Sequence, residues 1–413
     1  MSRPCVNTVI VGGGQAGLAM SIHLKRAGID HIVFERNRIA ESWRTERWDS
    51  LVANGPAWHD RFPDKAFADT DNDGFATKGS CVRYFEEYAR DNALPVTTGV
   101  NVHRVTPRTD RAAYEVHTTE GVTQARNVIA ATGPFQVPVI PPVLPSEAPV
   151  AQLHSQSYRN PDQLAPGAVL VVGGGSSGSQ IADELLRAGR TVFLSIGPHD
   201  RPPRRYRGHD YCHWLGVLGK WDLKTPPAGR EHVTIAVTGA YGGYTVDFRR
   251  FAERGMTLLG MTDGYADGKV SLRNDLAQNI AEGDANYLSV LDEVDAYITA
   301  NGLALAEEPE AKVIGPSPAC VTTPMLALDL RAADVSTVIW ATGYRQDFGW
   351  LEVDTFDGRG NPRHQGGIAE VPGIYFLGLP WLSMRGSSFI WGVYKDAERL
   401  AKHIQGAPAP SSS

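Results

Sequence analysis

The chain has 413 residues, of which 42% are hydrophobic and 21% charged, and its formal net charge is −6. This composition indicates a globular protein of two or three domains and excludes a disordered, collagenous or coiled-coil chain. The acidic balance argues against general nucleic-acid binding. No apolar run reaches the length of a membrane span, and glycines at 12–14 interrupt the first one, so we expect no signal peptide. Four scattered cysteines without a CxxC pair fit a reducing compartment, which predicts a cytoplasmic protein.

Two segments that begin at residues 8 and 168 repeat one pattern. The first reads TVIVGGGQAGLAMSIHLKRAGIDHIVFER and the second AVLVVGGGSSGSQIADELLRAGRTVFLSI. Each predicts a strand, a glycine turn, a helix and a second strand. The uninterrupted apolar runs before the glycines are typical of parallel strands buried on both faces. We therefore predict an α/β protein with two Rossmann-like, three-layer dinucleotide-binding domains.

The glycines of each copy have separate roles. The first permits a tight turn, the second lets the backbone approach a pyrophosphate, and the third lets the helix pack closely on the strand. They are Gly12, Gly14 and Gly17 in the first copy and Gly173, Gly175 and Gly178 in the second. Unpaired N–H groups at each helix start bind phosphate. The helix starts add Gln15 and Ala16 in the first copy, and Ser176 and Ser177 in the second, to the candidate cofactor residues.

The ends of the second strands distinguish the two sites. Glu35 stands where an acidic side chain binds an adenosine ribose, whereas the second copy has Ser195, which would not repel a 2′-phosphate. A basic segment, residues 201–207, follows, and within it Arg204 and Arg205 are the leading candidates for that phosphate. The first site therefore suits FAD and the second NADPH, with NADH left open. A solvated arginine loop is the alternative.

Further turns support two nucleotide domains. Two strands each end in Ala-Thr-Gly, and a late strand ends at a glycine suited to close approach of the backbone to a flavin. These candidates are Ala131, Thr132, Gly133, Ala341, Thr342, Gly343 and Gly378. The candidate cofactor set also includes Arg36, Trp43, Arg44 and Val100.

Together these motifs resemble the flavin-containing monooxygenases, in the compact bacterial form that is also similar to the plant auxin-forming YUCCA enzymes. The stretch from Trp43-Arg44 through Asn54 to residues 61–63 (RFP) is similar to the family's "WR … SL.TN … FP". Residues 153–158 (LHSQSY) match the tail of FxGxxxHSxx(F/Y), whose head is replaced by Ala148 and Val150. That broken head counts against a standard Baeyer–Villiger enzyme.

The resemblance implies a domain arrangement in which the NADP domain is inserted into the FAD domain. We expect FAD-binding segments at 1–150 and 326–404, an NAD(P)H domain at 151–325 and a disordered tail at 405–413. Within 210–320 we predict helices around 247–254 and 274–301 with a strand at 256–260 between them. This region should complete the NADP domain and cover the active site.

The resemblance also implies a reaction. A single-component enzyme would pass a hydride from NAD(P)H to FAD, form a C4a-(hydro)peroxyflavin with O2, and oxygenate a small organic molecule, with N- or S-oxygenation expected first. Asn54 would be the catalytic residue, its amide stabilising charge, and His154 would link the domains. Alternatives are a keto-acid decarboxylase, Baeyer–Villiger oxygenation, a flavoprotein reductase, and a non-enzymatic nucleotide-binding protein.

Several residues keep open interpretations. Arg385 could line the pocket or lie in a surface loop, and Asn54 could be an ordinary turn residue. His209 and His213 are spaced like metal ligands, but without a third ligand we expect no metal site. The expected partners are a small substrate and O2, without nucleic acid or membrane, and a homodimer is left open.

Overall fold

The computed structural model describes residues 5–108, 113–224 and 234–406. It confirms the predicted α/β class. The helices are α1 (Gln15–Arg26), α2 (Glu41–Thr45), α3 (Lys78–Asp91), α4 (Ser176–Arg187), α5 (Tyr211–Val217), α6 (Phe248–Glu253), α7 (Leu276–Ala300), α8 (Ala319–Thr322) and α9 (Ile390–Gly406). The strands are β1 (Val6–Val11), β2 (His31–Glu35), β3 (Val96–Thr98), β4 (Val102–Pro107), β5 (Tyr114–Thr118), β6 (Gly121–Ala130), β7 (Val137–Pro138), β8 (Ala151–His154), β9 (Ala168–Val172), β10 (Val192–Ser195), β11 (Arg205–Tyr206), β12 (His209–Asp210), β13 (Thr257–Leu259), β14 (Thr262–Ala266), β15 (Lys269–Leu272), β16 (Ala327–Asp329), β17 (Val335–Trp340), β18 (Tyr344–Arg345), β19 (His364–Gln365), β20 (Ile368–Ala369) and β21 (Ile374–Phe376).

Two sheets organise the molecule. The first has the order β19-β20-β21-β6-β1-β2-β3, extended by β4 and β5, and its strands β21, β6, β1, β2 and β3 are parallel. The second has the order β13-β10-β9-β17-β8 and is parallel throughout. All five residues of β9 are buried, as expected for a strand covered on both faces.

The repeated segments form equivalent units within these sheets. In the first, β1 leads into α1 and then β2, and in the second, β9 leads into α4 and then β10. Both helices have 12 residues. Gly28 and Gly189 follow them with φ of 69° and 78°, a left-handed conformation that suits glycine at a helix end.

The sheets correct two predicted boundaries. β17 pairs with β8 and β9, so the second domain extends to about residue 340 and not to 325. The Ala-Thr-Gly turn that follows β17 leads back to the first domain, as β18 pairs with β7. α9 continues to Gly406, so Gln405 and Gly406 are helical, and 407–413 lie outside the described residues.

The elements predicted for 210–320 are present. α6, β13 and α7 lie at the predicted positions, and β13 extends the second sheet at its edge beside β10. One extended segment, Thr234–Thr238, crosses in front of α4, and we call it the strap. Its Ile235 pairs with Asp200, which follows β10. Among the described helices, none combines the length and apolar character that a membrane crossing requires.

Candidate functional site: two dinucleotide cradles and the loop between them

The first cradle is the turn from β1 into α1. Gly12 has a φ of 112°, and a Cβ there would lie 2.6 Å from the Ala131 carbonyl oxygen. A Cβ at Gly17 would lie 1.8 Å from the Gly12 carbonyl oxygen, so α1 packs directly on the turn. A Cβ at Gly14 would meet nothing within 4 Å. The face above the N-terminus of α1 is therefore open for a phosphate group.

Glu35 lies at the end of β2 beside this cradle. Its carboxylate accepts hydrogen bonds from the backbone N–H of Gly13 at 2.7 Å and of Asn37 at 2.8 Å. The Val100 N–H donates to the Glu35 carbonyl at 3.0 Å, which places that candidate beside the same residue. Arg36 is exposed immediately after β2. Glu35 thus lies at the end of β2 as the sequence predicted, and backbone N–H groups fix its carboxylate there; its ribose role stays a prediction.

The chain's last strand and helix lie against the same cradle. Gln15, the first residue of α1, donates its side-chain N–H to the Ser388 carbonyl at 2.8 Å, just before α9. Gly378 has a φ of 82°, and a Cβ there would lie 2.9 Å from the Cβ of Ala16. In the turn after β6, the Gln136 amide donates to Thr132 Oγ1 and to the Gly133 carbonyl. These contacts bring the predicted candidates around α1 together.

The second cradle has the same glycine geometry. Gly173 has a φ of 116°, with a Cβ position 2.5 Å from the Ala341 carbonyl oxygen, and a Cβ at Gly178 would lie 1.8 Å from the Gly173 carbonyl oxygen. Thr342 donates its hydroxyl to the Val139 carbonyl at 2.5 Å. Each Ala-Thr-Gly turn therefore packs against the first glycine of one cradle, Gly12 or Gly173, through its alanine carbonyl.

The second cradle differs because the strap covers it. A Cβ at Gly175 would lie 2.9 Å from Thr234 Cγ2, whereas the matching position Gly14 is open. The Ser176 hydroxyl donates to the Ile235 carbonyl at 2.7 Å. Ser177, next to it, is half-buried. The strap therefore occupies space beside the N-terminus of α4 that the first cradle leaves open beside α1.

The structure corrects the role predicted for Arg204. Its side chain is 2% exposed, and its guanidinium pairs with Asp210 at 2.5 Å. The remaining contacts go to the carbonyls of Asn54 and Thr238 and to the Cys212 sulfur. All five N–H donors of an arginine are thereby engaged within the protein, which leaves none for a 2′-phosphate.

Two of the neighbouring arginines also form ion pairs within the protein, and the third, Arg205, is exposed. Arg201 pairs with Asp284, and Arg207 with Asp295. Arg205 is exposed, and it donates at 3.1 Å to the carbonyls of Gly242 and Gly243. Of the two leading candidates, Arg205 alone presents charge at the surface. Ser195 is buried and donates to the Gly260 carbonyl at 2.8 Å.

His154 lies where the two domains meet. Its Nδ1 accepts from the Gln156 N–H at 3.1 Å, so Nε2 carries the proton and donates to the Gly343 carbonyl at 3.0 Å. Burial lowers the pKa of His154 from its ordinary value, which favours this neutral form. These contacts are those of a linking residue at the second Ala-Thr-Gly turn.

Asn54 lies in a loop held by residues of the second domain. Its side-chain Oδ1 accepts a hydrogen bond from Gln180 Nε2 of α4 at 2.9 Å, and its carbonyl accepts one from Arg204 at 2.6 Å. Trp43, upstream, packs against both large hydrophobic cores, and Arg44 pairs with Glu86 of α3. The candidate catalytic residue therefore sits between the two dinucleotide units.

An aromatic cluster beside the Asn54 loop was missed by the sequence analysis. His59 lies 5.2 Å from Trp221 and 5.4 Å from Trp391 between ring centroids, and Trp221 lies 5.2 Å from Phe389. Asp60 accepts from the Gly55 N–H at 2.8 Å and lies 2.7 Å from His59 Nδ1. Only the pair at 59–60 is adjacent in sequence, so no local motif signals the cluster.

Among the described residues, two polar atoms at this aromatic cluster lack a hydrogen-bond partner, and one arginine lies against it. His59 Nε2 and Trp391 Nε1 are buried without a hydrogen-bond partner within the described ranges. The Arg385 guanidinium lies 5.7 Å from the centre of the Trp221 ring, so this residue is part of the cluster's wall. The cluster thus combines packed aromatic rings with two buried polar atoms that have no partner among the described residues.

Other candidate chemistry is limited. His209 and His213 stack at 4.3 Å, but the described part of the chain contains no group of three residues suited to hold a metal ion. All four cysteines are free. Burial raises the pKa of both Cys81 and Cys212, which keeps these thiols protonated and unreactive.

A family model matches half of the chain, and curated relatives match nearly all of it. A family model described as pyridine nucleotide-disulphide oxidoreductase matches residues 9–215. The "uncharacterized oxidoreductase CzcO-like" of Geobacillus kaustophilus (strain HTA426) is 33% identical over 97% of this chain and 98% of its own length. Indole-3-pyruvate monooxygenase YUCCA1 of Oryza sativa subsp. japonica is 31% identical over 96% of this chain and 90% of its own.

Solved structures share the fold. A flavin-containing monooxygenase from Stenotrophomonas maltophilia superposes with a TM-score of 0.66 at 20% identity, covering 97% of this chain and 98% of that one. The bacillithiol disulfide reductase Bdr (YpdA) from Staphylococcus aureus gives 0.62 at 14% identity, with 97% and 98% covered. At these identities the likeness concerns the fold alone.

Proposed function

The chain belongs to the pyridine nucleotide-disulphide oxidoreductase family, as an oxidoreductase of its flavin monooxygenase branch, and from that premise we propose an FAD-dependent, NAD(P)H-consuming monooxygenase. In the proposed reaction NAD(P)H supplies two electrons, one oxygen atom of O2 enters a small organic substrate, and the other leaves as water. The observation that carries the proposal is the position of Asn54 between two dinucleotide units, in a chain whose cysteines form no redox pair.

The first cradle fits FAD. The open face at Gly14 and the N-terminus of α1 would hold the pyrophosphate, and the carboxylate of Glu35 would bind the adenosine ribose. Bound FAD supplies hydride acceptance and oxygen activation, while the protein positions it and excludes water. Gly378 lies against Ala16, and Gln15 bonds to Ser388 just before α9. The segment from β21 to α9 would therefore form one wall of the FAD site.

For the electron donor we retain NADPH as the first expectation, with NADH as the alternative. The second cradle has the glycine turn that a dinucleotide needs, and Ser195 brings no negative charge to it. Arg205 is the arginine that supports a 2′-phosphate contact, because Arg204 is fully engaged inside the protein. Displacement of the strap is part of the binding event.

Asn54 is the proposed catalytic residue. Its amide is held from the α4 side through Oδ1, so its Nδ2 donors point away from α4 and can stabilise negative charge next to the reacting atoms. The aromatic cluster lies next to the same loop through Asp60, and its rings keep water from that region. This environment supports an apolar substrate with a soft nitrogen or sulfur.

A second reaction has one observation in its favour. Within the described residues Arg385 has no carboxylate partner, and it lies over Trp221 at the aromatic cluster. A free guanidinium there could bind the carboxylate of an aromatic keto acid, and the indole-3-pyruvate monooxygenase relative acts on such a compound by its name. Oxidative decarboxylation of a keto acid is therefore the alternative to N- or S-oxygenation.

The test is product analysis under isotopic oxygen. Purified FAD-loaded protein is supplied with NADPH, then NADH, and a panel of amines, sulfides and keto acids under 18O2. We expect one labelled oxygen atom in a product and NAD(P)H consumption in equal amount. If every panel compound is recovered unchanged, or the protein instead reduces an artificial acceptor without O2, the monooxygenase proposal is wrong. Protein that takes up no flavin would also contradict it.

A further inference from the structure

Gln180 stands at a position where the two dinucleotide helices differ in chemistry. It lies on α4 two residues after Gly178, and the equivalent residue of α1, two residues after Gly17, is Ala19. Gln180 is 6% exposed. The second helix thus buries an amide where the first buries a methyl group.

The contacts of this amide fix its orientation. Gln180 Nε2 donates to the Val237 carbonyl of the strap and to Asn54 Oδ1, both at 2.9 Å. A backbone carbonyl can only accept a hydrogen bond, so the Gln180 amide must direct its NH2 group towards Val237. The second N–H of that group then requires an acceptor from Asn54, which must present Oδ1. Asn54 Nδ2 is thereby directed to the opposite side.

The other amide atom of Gln180 shows what this arrangement costs. Gln180 Oε1 is buried and has no hydrogen-bond partner among the residues the structure describes. An unpaired buried acceptor is destabilising. An apolar side chain would avoid that penalty, but it would take the donor away from the Val237 carbonyl and from Asn54 Oδ1. The amide therefore serves two acceptors at the cost of its own Oε1, and the one on Asn54 controls the orientation of the candidate catalytic side chain.

We propose that Gln180 is a positioning residue that orients the Asn54 amide, with Oδ1 towards the second domain and Nδ2 free to donate at the reaction site. The inference rests on the proposed function, in which Asn54 is the donor. Arg204 complements it, because it holds the Asn54 carbonyl while its own charge is compensated by Asp210. The helix of the second cradle thus sets the geometry of a residue contributed by the first domain.

The test compares Gln180→Met with Asn54→Ala and with the double variant. We expect the fraction of NADPH electrons released as hydrogen peroxide to rise about threefold or more in Gln180→Met, with the rate of anaerobic flavin reduction at saturating NADPH changed less than about twofold. Saturation is needed because Gln180 also bonds the strap through Val237, so the variant can change the affinity for NADPH. In the Asn54→Ala background, Gln180→Met should add almost nothing, because both changes remove the same donor geometry. A readout independent of turnover is denaturant unfolding, in which the midpoint shifts of the two variants should be non-additive.

Two further variants complete the design. Ser179→Ala lies next to Gln180 on α4 and removes a hydroxyl that bonds to the Ser176 carbonyl, so it should leave peroxide release unchanged. If Gln180→Met does not fold, Gln180→Ala serves instead, since alanine is the residue at the equivalent position of α1 and cannot donate to Asn54.

The outcomes separate the two proposals. Product formation with unchanged peroxide release in the Gln180 variants, or additive effects with Asn54→Ala, overturns the positioning role and leaves the monooxygenase proposal intact. Wild-type protein that forms no oxygenated product overturns both.

Discussion

The two dinucleotide helices have the same length and the same contacts at the first and third glycines of their motifs, yet they pack against different surroundings. Ala19 and Ile22 of α1 are buried in the first hydrophobic core, together with residues of α9. The equivalent residues of α4 are Gln180 and Asp183, which are also buried but bond to polar groups. The glycine motif therefore fixes the cradle, whereas the neighbouring positions decide what covers it.

Asp183 shows how polar the surroundings of the second helix are. It is 1% exposed, and its carboxylate accepts from Arg187, from Arg254 and from the Tyr244 hydroxyl. These contacts join α4 to the segment that follows the strap and to the end of α6. An apolar interface like that of α1 would pack firmly, but it could not bond to the strap or to Asn54. The two copies of the motif therefore keep the same backbone geometry, but only the second helix forms polar contacts with the strap and with Asn54.

The largest expected effect tests the part that the two units share. Gly17→Ala and Gly178→Ala each place a Cβ 1.8 Å from a backbone oxygen. We expect each to lower the free energy of unfolding by about 4 kcal/mol or more, measured by chemical denaturation or seen as loss of soluble protein. Gly14→Ala is the matched control, since its Cβ would meet nothing within 4 Å, and it should retain stability while losing FAD. Tolerance of one substitution but not the other would break the equivalence.

A pH effect should distinguish the first helix from the second. Burial lowers the pKa of His23 in α1 to about 4, whereas the equivalent residue of α4 is Glu184. The unfolded chain therefore binds a proton that the folded state excludes, and stability is present above pH 6.5 and falls as the pH drops towards 4. The loss is about 1.4 kcal/mol for each pH unit within that window.

The measurement is urea unfolding of wild type and His23→Gln between pH 7.5 and 5. The variant should lose less stability as the pH falls, and the difference between the two proteins isolates His23 from the other buried histidines. Parallel pH profiles for the two proteins would show that His23 is not responsible.

A smaller effect should separate the ends of the second strands. Glu35→Ala leaves the N–H groups of Gly13 and Asn37 without their acceptor and should cost about 2 kcal/mol, with loss of bound FAD. Ser195→Ala removes one hydroxyl bonded to the Gly260 carbonyl and should cost about 1 kcal/mol without changing the flavin content. Flavin absorbance per protein and denaturant midpoints check both. Unchanged flavin content in Glu35→Ala would remove its ribose role.

The smallest effect concerns the exposed arginine. Arg205→Ala should raise KM for NADPH about threefold to tenfold and change KM for NADH little, because a solvent-exposed charge contact is worth about 1 kcal/mol. Arg104→Ala is the control and should alter neither KM. Arg104 is an exposed arginine on β4 that pairs with Glu352. Equal changes for the two dinucleotides would show that Arg205 does not contact the 2′-phosphate.

Local signals were enough to predict much of this molecule. The glycine turns, the buried strands β1 and β9 and the position of Glu35 follow from residues adjacent in sequence, and the structure places them as expected. The boundary predicted at residue 325 was wrong because β17 was assigned to the first domain together with the Ala-Thr-Gly turn that follows it. Sheet pairing with β8 and β9 decides that question, and pairing partners are distant in sequence.

The charged segment at 201–207 shows why the rest was not predictable. Its arginines appear free in the sequence, but their acidic partners at 210, 284 and 295 are brought to them by folding. The same holds for Gln180, whose partners Asn54 and Val237 come from two other parts of the chain. A glutamine inside a helical pattern carries no signal that its amide is buried.

The strap would compete with a dinucleotide for the second cradle, and because it is part of the same chain it is always present. In the proposed binding mode, a dinucleotide at Gly175 and Ser176 would have to displace the strap from those positions. Its apparent dissociation constant is then the intrinsic one divided by the fraction of molecules in which the backbone has withdrawn. A high apparent dissociation constant for the electron donor would therefore indicate that the strap is rarely displaced. A substitution in the strap would change this constant even where the substituted residue does not contact the ligand.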